Sequence, residues 1–241
     1  GEYAAAAQSL EQALGMRRRL QGPGHPDVAV TLAELARVYQ DEGANERAEP
    51  LHREALSIRR QALGPEDGET AVSLSDLASV LRLNGNLAGA EALLQQCLDI
   101  NRKARGEDHP NTAISLHDLA LITVSRGDHQ RAETQFRQAL SRQRRALGDG
   151  HPVVAAMLNN LAHVLSAIGR HDEAAAALEE ALAIVRPALG RNHQLVAIYS
   201  ISAGAVQLAA RRPAQAEPLL REGIRIRALA PAVVPSRRRT L

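Results

Sequence analysis

The sequence predicts an all-α solenoid of stacked antiparallel helix pairs, and three observations predict it. A loop signature recurs as His25-Pro26, His109-Pro110 and His151-Pro152, with Asp67 and His193 in the two remaining slots, so the chain repeats every 42 residues. In the same step, Leu32, Leu35 and Ala36 return as Leu74, Leu77 and Ala78, as Leu116, Leu119 and Ala120, and as Leu158, Leu161 and Ala162. These positions lie at i, i+3 and i+4, the apolar stripe of an amphipathic helix. Finally, aromatic residues make up only 2% of the chain, with no Trp and a single Phe. The core must therefore be built from Ala, Leu, Val and Ile, which suits closely packed helices better than strands.

Each pair consists of a first helix, A, and a second helix, B. Pro after His opens helix A at the first-turn position, where its missing N–H costs nothing. Gly43, Gly85, Gly127 and Gly169 close helix A and let the chain reverse. Helix B carries two columns of small residues, Ala48 to Ala216 and Ala55, Cys97, Ala139, Ala181 and Gly223, which permit close approach of neighbouring helices. A column of Leu56, Leu98, Leu140, Leu182 and Ile224 is expected to seal the pair, and Gly64, Gly106, Gly148 and Gly190 end helix B.

In this register residues 1–24 hold a helix B without its helix A, because Gly1-Glu2-Tyr3 stands where Gly43 and Gly85 stand later. Full pairs occupy 25–66, 67–108, 109–150 and 151–192, and a degenerate pair occupies 193–230. Such a hairpin cannot bury its apolar face alone, so residues 1–230 are expected to form one cooperative array. Residues 231–241, with Pro231, Pro235 and Arg237 to Arg239, are expected to be a disordered tail. Gly1 in place of Met predicts a fragment or a processed product of a longer chain.

Several classes of function are disfavoured. Twenty-nine Lys and Arg against 27 Asp and Glu give a net charge of +2, and the chain lacks the aromatic platforms on which single-stranded bases stack, which argues against nucleic acid. A single cysteine, Cys97, fits a reducing compartment and a cytoplasmic protein. The longest uncharged run, Leu195 to Ala210, is too short and too polar to cross a bilayer, so no membrane partner is expected. The His-Pro histidines sit one repeat apart, whereas zinc gathers its ligands within about 2.0–2.3 Å, so they are loop formers. Cys97 occupies a small-residue column and is expected to be a packing thiol. No phosphate loop or dinucleotide fingerprint occurs, and no catalytic, cofactor-binding or metal-binding residue is assigned. The chain is not expected to be an enzyme.

Arg18, Arg60, Arg102, Arg144 and Arg186 also step by one repeat near the end of each helix B. They either complement the helix macrodipole or offer a basic ladder to an anionic partner.

The string Leu32-x-x-Leu35-Ala36-x-x-Tyr39, followed by Ala48, His52 and Ala55, resembles the tetratricopeptide repeat pattern. The longer period, with Ala48-Glu49-Pro50-Leu51, Ala216-Glu217-Pro218-Leu219 and Leu158-Asn159-Asn160-Leu161-Ala162, is similar to the repeats of kinesin light chain and its bacterial relatives. The resemblance covers residues 1–230. It implies a right-handed superhelix whose helices A line a concave groove that binds a peptide or a partner domain. The chain would then be a protein–protein interaction scaffold within a larger signalling or assembly protein, possessing a fused or associated effector domain. The alternative is a regulatory or substrate-recognition arm of an enzyme whose catalytic domain lies outside these residues.

The family's groove positions fall on Glu34 and Arg37, Asp76 and Arg82, His117 and Asp118, Asn159, Asn160 and His163, and Ile198, Ile201 and Leu208. Glu34, Asp76 and Asp118 form an acidic row continuing into Asn160, where the family commonly places an Asn that grips a ligand's backbone. Only Asn160 matches, which favours a ligand with Lys or Arg over backbone clamping. The other reading is that these carboxylates are solvated or paired with Arg37 and Arg82. The apolar group at Ile198, Ile201 and Leu208 suits a protein contact, with a ligand pocket, a dimer surface or the seat of a missing domain left open.

Overall fold

The computed structural model describes residues 2–229, all of them in helices and short turns. The helices are α1 (Glu2–Gln21), α2 (Pro26–Asp41), α3 (Asn45–Ala62), α4 (Gly68–Leu83), α5 (Leu87–Arg105), α6 (Pro110–Ser125), α7 (His129–Leu147), α8 (Pro152–Ala167), α9 (His171–Leu189), α10 (Gln194–Ala209) and α11 (Pro213–Leu229). The even-numbered helices are the A helices of the repeat and the odd-numbered ones the B helices. The fold is the expected all-α stack of packed helix pairs, and no strand occurs among the described residues. The tail expected from Pro231 lies outside them.

The described chain divides into two compact units, residues 2–106 with α1 to α5 and residues 107–229 with α6 to α11. In the first, α2 packs on α3 and α4 on α5 within pairs, while α1 meets α2 and α3 meets α4 between pairs. In the second, α6 packs on α7, α8 on α9 and α10 on α11, with α7 against α8 and α9 against α10.

The turns explain the period. The side chains of His25, His109, His151 and His193 do more than form loops. Each ring Nδ1 accepts the backbone N–H two residues on, at 3.1–3.2 Å, and so caps the helix A that follows. Asp67 does the same through Oδ1 at 2.7 Å. Capping of this kind satisfies one of the four free N–H groups at a helix start. The glycines after helix A take positive φ, 82° to 83° at Gly43, Gly85, Gly127 and Gly169. In the last pair that slot holds Arg211, which adopts φ 60° with a Cβ present, at a cost of about 1–2 kcal/mol.

The small columns let helices touch. Ala48, Ala55, Ala90 and Cys97 in the first unit and Ala132, Ala139, Ala174 and Ala181 in the second are buried. At Gly223 the approach is closest, since a Cβ there would lie 2.5 Å from Ile201 Cγ1 and 2.9 Å from the Ala197 carbonyl oxygen. One expectation is corrected. Leu56, Leu98, Leu140 and Leu182 are 2–6% exposed, but Ile224 in the same column is 64% exposed. Leu56 lies beside Leu77 and Leu81 of α4, so the column seals helix B against the next helix A rather than against its own. Among the described residues no helix follows α11, which leaves Ile224 uncovered.

Candidate partner-binding face

The side chains that join successive pairs position the faces of the A helices. In the first unit the joints are polar. Arg17 of α1 donates from Nη1 to the Asp27 carbonyl at 2.9 Å and to Thr31 Oγ1 at 2.7 Å. One repeat on, Arg59 of α3 donates to Ser73 Oγ at 2.8 Å and pairs with Glu69 at 3.1 Å while itself 6% exposed. In the second unit the equivalent position is Gln143, wholly buried, with Met157 in the slot that carried the hydroxyl. Neither amide atom of Gln143 has a hydrogen-bond partner. One repeat further the position is the buried Val185, with Tyr199 in that slot.

The Arg column at the ends of the B helices also ties neighbours together. Arg18 pairs with Glu54, Arg144 with Glu180 and Arg186 with Glu222, each joining consecutive B helices. Arg60 instead donates to the neutral Gln96 at 2.9 Å, and Arg102 likewise has a Gln, Gln138, 36 residues on in the sequence. The residues do lie in the last turn of their helices, where they complement the macrodipole. The signal in the sequence is a Glu 36 residues after Arg18, Arg144 and Arg186, with a Gln in that place after Arg60 and Arg102.

On the A face of the first unit, Glu34 and Arg37 are exposed, while Asp76 and Arg82 are half-buried. Among the described residues Glu34, Arg37 and Arg82 enter no ion pair. Gln40, at the end of the same face of α2, turns inward and meets the buried His52 Nε2 at 2.9 Å. Burial first, and then the charges of Arg37 and Arg59, push the His52 pKa down to about 4.

On the A face of the second unit the side chains interlock. Asn160 Nδ2 lies 3.0 Å from His117 Nε2, and His117 Nδ1 lies 3.3 Å from Asp118 Oδ1. With the ring proton on Nδ1 this is one directed chain, in which Asn160 donates to His117 and His117 donates to Asp118. His117 packs its ring 5.0 Å from that of Phe136 in α7 at 54°, which fixes the imidazole plane. Beside this chain the Asn159 Oδ1 is buried without a hydrogen-bond partner. His163 lies at the surface with Nε2 3.4 Å from Ser202 Oγ, and desolvation of its ring lowers its pKa. Ile198 and Ile201 are half-buried, Ile201 against Gly223 of α11, and Leu208 is 51% exposed. Asp118 is the only formally charged residue among the groove positions of this unit, whereas those of the first unit carry two acids and two arginines.

Cys97 is free and buried. Among the described residues no cluster of His, Cys, Asp and Glu could hold a metal ion, and no helix is long and apolar enough to cross a membrane.

A family model described as Tetratricopeptide repeat matches residues 1–61, 69–145, 122–186 and 153–228. The crystal structure of BtubC (BKLC) from P. vanneervenii is similar over 100% of this chain and 97% of its own, at 28% identity and a TM-score of 0.72. A P. anserina structure of putative kinesin light chain repeats is similar over 85% of this chain and 97% of its own, at 28% identity and a TM-score of 0.64. A Rap protein complexed with Competence and Sporulation Factor shares the fold over 92% of this chain and 64% of its own, at 16% identity and a TM-score of 0.70. None of the curated proteins matches the chain in sequence.

Proposed function

Because this chain belongs to the tetratricopeptide repeat family, we infer that it is a protein-interaction scaffold whose second unit holds a segment of a partner protein against its A helices. The segment carries a Lys or Arg that meets Asp118, followed by aliphatic side chains that meet Ile198 and Leu208.

The observation that carries this reading is the hydrogen-bonded chain Asn160, His117, Asp118. Three groove-position side chains on two successive A helices are held in fixed orientations before any ligand arrives. Such preorganisation lowers the ordering cost of binding. Asp118 supplies the one formal charge among the groove positions of this unit, and its negative sign favours a cationic side chain in the ligand. The first unit, with Glu34 and Asp76 balanced by Arg37 and Arg82, offers no comparable bias. The Rap protein that shares the fold is complexed with Competence and Sporulation Factor, which is in keeping with a holding role.

Random 12-residue peptides displayed on phage and selected against the whole chain provide the test. Selection should enrich a basic residue followed by aliphatic ones, and Asp118→Lys should remove the basic preference while Asp76→Lys leaves it. A preference that survives Asp118→Lys, or selection without any basic preference, rules the reading out.

A further inference from the structure

On the opposite side of the first unit, a trough of about 640 Å³ runs between the B helices α3 and α5. Its floor is made by the flanks of Leu56, Leu77, Leu81 and Leu93, and Arg53 and Arg60 stand on its rim. Two departures from the repeat converge on it, and each is independent of the other.

The first departure concerns room. Gly89 lines the trough, at a position where α3, α7, α9 and α11 have Arg47, Arg131, Glu173 and Gln215 and α1 has Ala5. Glycine inside a helix costs about 0.5–1 kcal/mol relative to Ala. The backbone does not ask for it, because Gly89 is not among the positive-φ glycines. The helix cap stands close, since a Cβ at Gly89 would lie 2.8 Å from Asn86 Nδ2, but the same cap accommodates a side chain one repeat on. Asn86 Oδ1 accepts the Gly89 N–H at 2.9 Å, and Asp128 Oδ1 accepts the Arg131 N–H at 3.1 Å in the same arrangement with a long side chain present. What glycine does here is leave out the side chain that would lie in the trough.

The second departure concerns charge. Arg18, Arg144 and Arg186 are neutralised by Glu54, Glu180 and Glu222 of the following B helix. Arg60 meets Gln96 instead, so its guanidinium is held in place by a neutral acceptor and keeps its full charge. Arg53 is matched by Glu49 at 2.7 Å, which leaves Arg60 as the uncompensated charge of the rim. A planar guanidinium with free donors suits a carboxylate, which it can bind in a two-pronged geometry.

We propose that the α3–α5 trough is a second docking site, which takes an acidic peptide segment of a partner protein by seating an aliphatic side chain over Leu56, Leu77, Leu81 and Leu93 and a carboxylate on Arg60. The trough is open along its length, so it receives one side of a peptide chain and does not enclose a free small molecule. The site is independent of the A face, and the two can be occupied together.

The test uses the whole 15N-labelled chain titrated with acetyl-Ala-Glu-Leu-Leu-Glu-Ala-amide and with its Lys-for-Glu counterpart. The acidic peptide should shift the amide signals of Ser57, Arg60, Gly89 and Gln96 in a saturable way, and the basic peptide should not. Gln96→Glu restores the ion pair of the sister positions, so it keeps the fold and should weaken binding about five-fold, the effect of one exposed charge pair. Gly89→Arg should abolish binding by filling the trough, and if that variant unfolds Gln96→Glu still decides. The proposal is overturned by equal response to the two peptides, by no response, by unchanged affinity in Gln96→Glu, or by shifts confined to α2 and α4. Asp118→Lys should leave this titration unchanged, so failure here is distinct from failure at the A face.

Discussion

The two units solve the same packing problem with different chemistry. In the first, the B helix reaches the next A helix through guanidinium groups, the half-buried Arg17 on Thr31 and the buried Arg59 on Ser73, and the core inside the α2–α3 pair holds His52. In the second, those positions become Gln143, Val185 and Phe136, and the contact is made by apolar bulk except at the buried amide of Gln143. The difference teaches that the 42-residue period fixes where a side chain points but not which force it exerts there. Polar joints depend on having every partner present, and apolar joints depend on filled volume.

The largest test of this contrast is to empty the same position in both units. Phe136→Ala should cost about 3–5 kcal/mol, because a fully buried ring leaves a cavity. His52→Ala should cost less than half as much, since the buried imidazole it removes brings a desolvation penalty of its own. Urea unfolding would give the totals, and hydrogen exchange should place the first loss in α6 to α8 and the second in α2 to α4. Equal losses would erase the distinction between the units.

A second test uses acid. His52 has its pKa depressed in the folded chain from 6.5 to about 4, so the folded state prefers the neutral ring. The stability tied to that ring is complete above about pH 6.5 and is lost as pH falls toward 4. A shift of this size corresponds to about 3 kcal/mol across that window. His52→Leu should therefore lose less stability than the wild type between pH 7 and pH 4, with the carboxylates titrating alike in both. Identical acid responses in the two chains would show that the ring is not held neutral.

The smallest effect concerns the joint that is neither polar nor apolar. Gln143 buries an amide with no protein partner, and leaving such groups unpaired costs about 1–3 kcal/mol. Gln143→Leu should raise the thermal midpoint by a few degrees, whereas Arg59→Leu in the first unit should lower it by stranding the buried Ser73 hydroxyl. Scanning calorimetry of both variants checks the pair, and a drop in Gln143→Leu would mean that the amide is satisfied in solution.

Much of this was legible beforehand because it follows from periodicity. The spacing of Leu32, Leu35 and Ala36 with their copies, and the glycines from Gly43 to Gly190, determined helix lengths, turn positions and the family. The Gly slot even marks Arg211 as the odd member. The histidine caps were harder to see, because His is not among the usual capping residues and only the placement of Nδ1 over a free N–H reveals the role. The seal formed by Leu56 and its column was misassigned to its own pair, since spacing along one helix does not say which neighbour a face meets.

By itself, then, the sequence determined the repeated helix pair and the residues eligible for the A face, because those depend only on the helical period and on local backbone chemistry. The tertiary structure alone decided which of them act together. It linked Asn160 to Asp118 through His117, paired three of the ladder arginines with carboxylates, and brought Gly89 and Arg60 to one trough. Those contacts join residues about 30 to 43 positions apart, a separation that only the packing of one helix pair on the next can close.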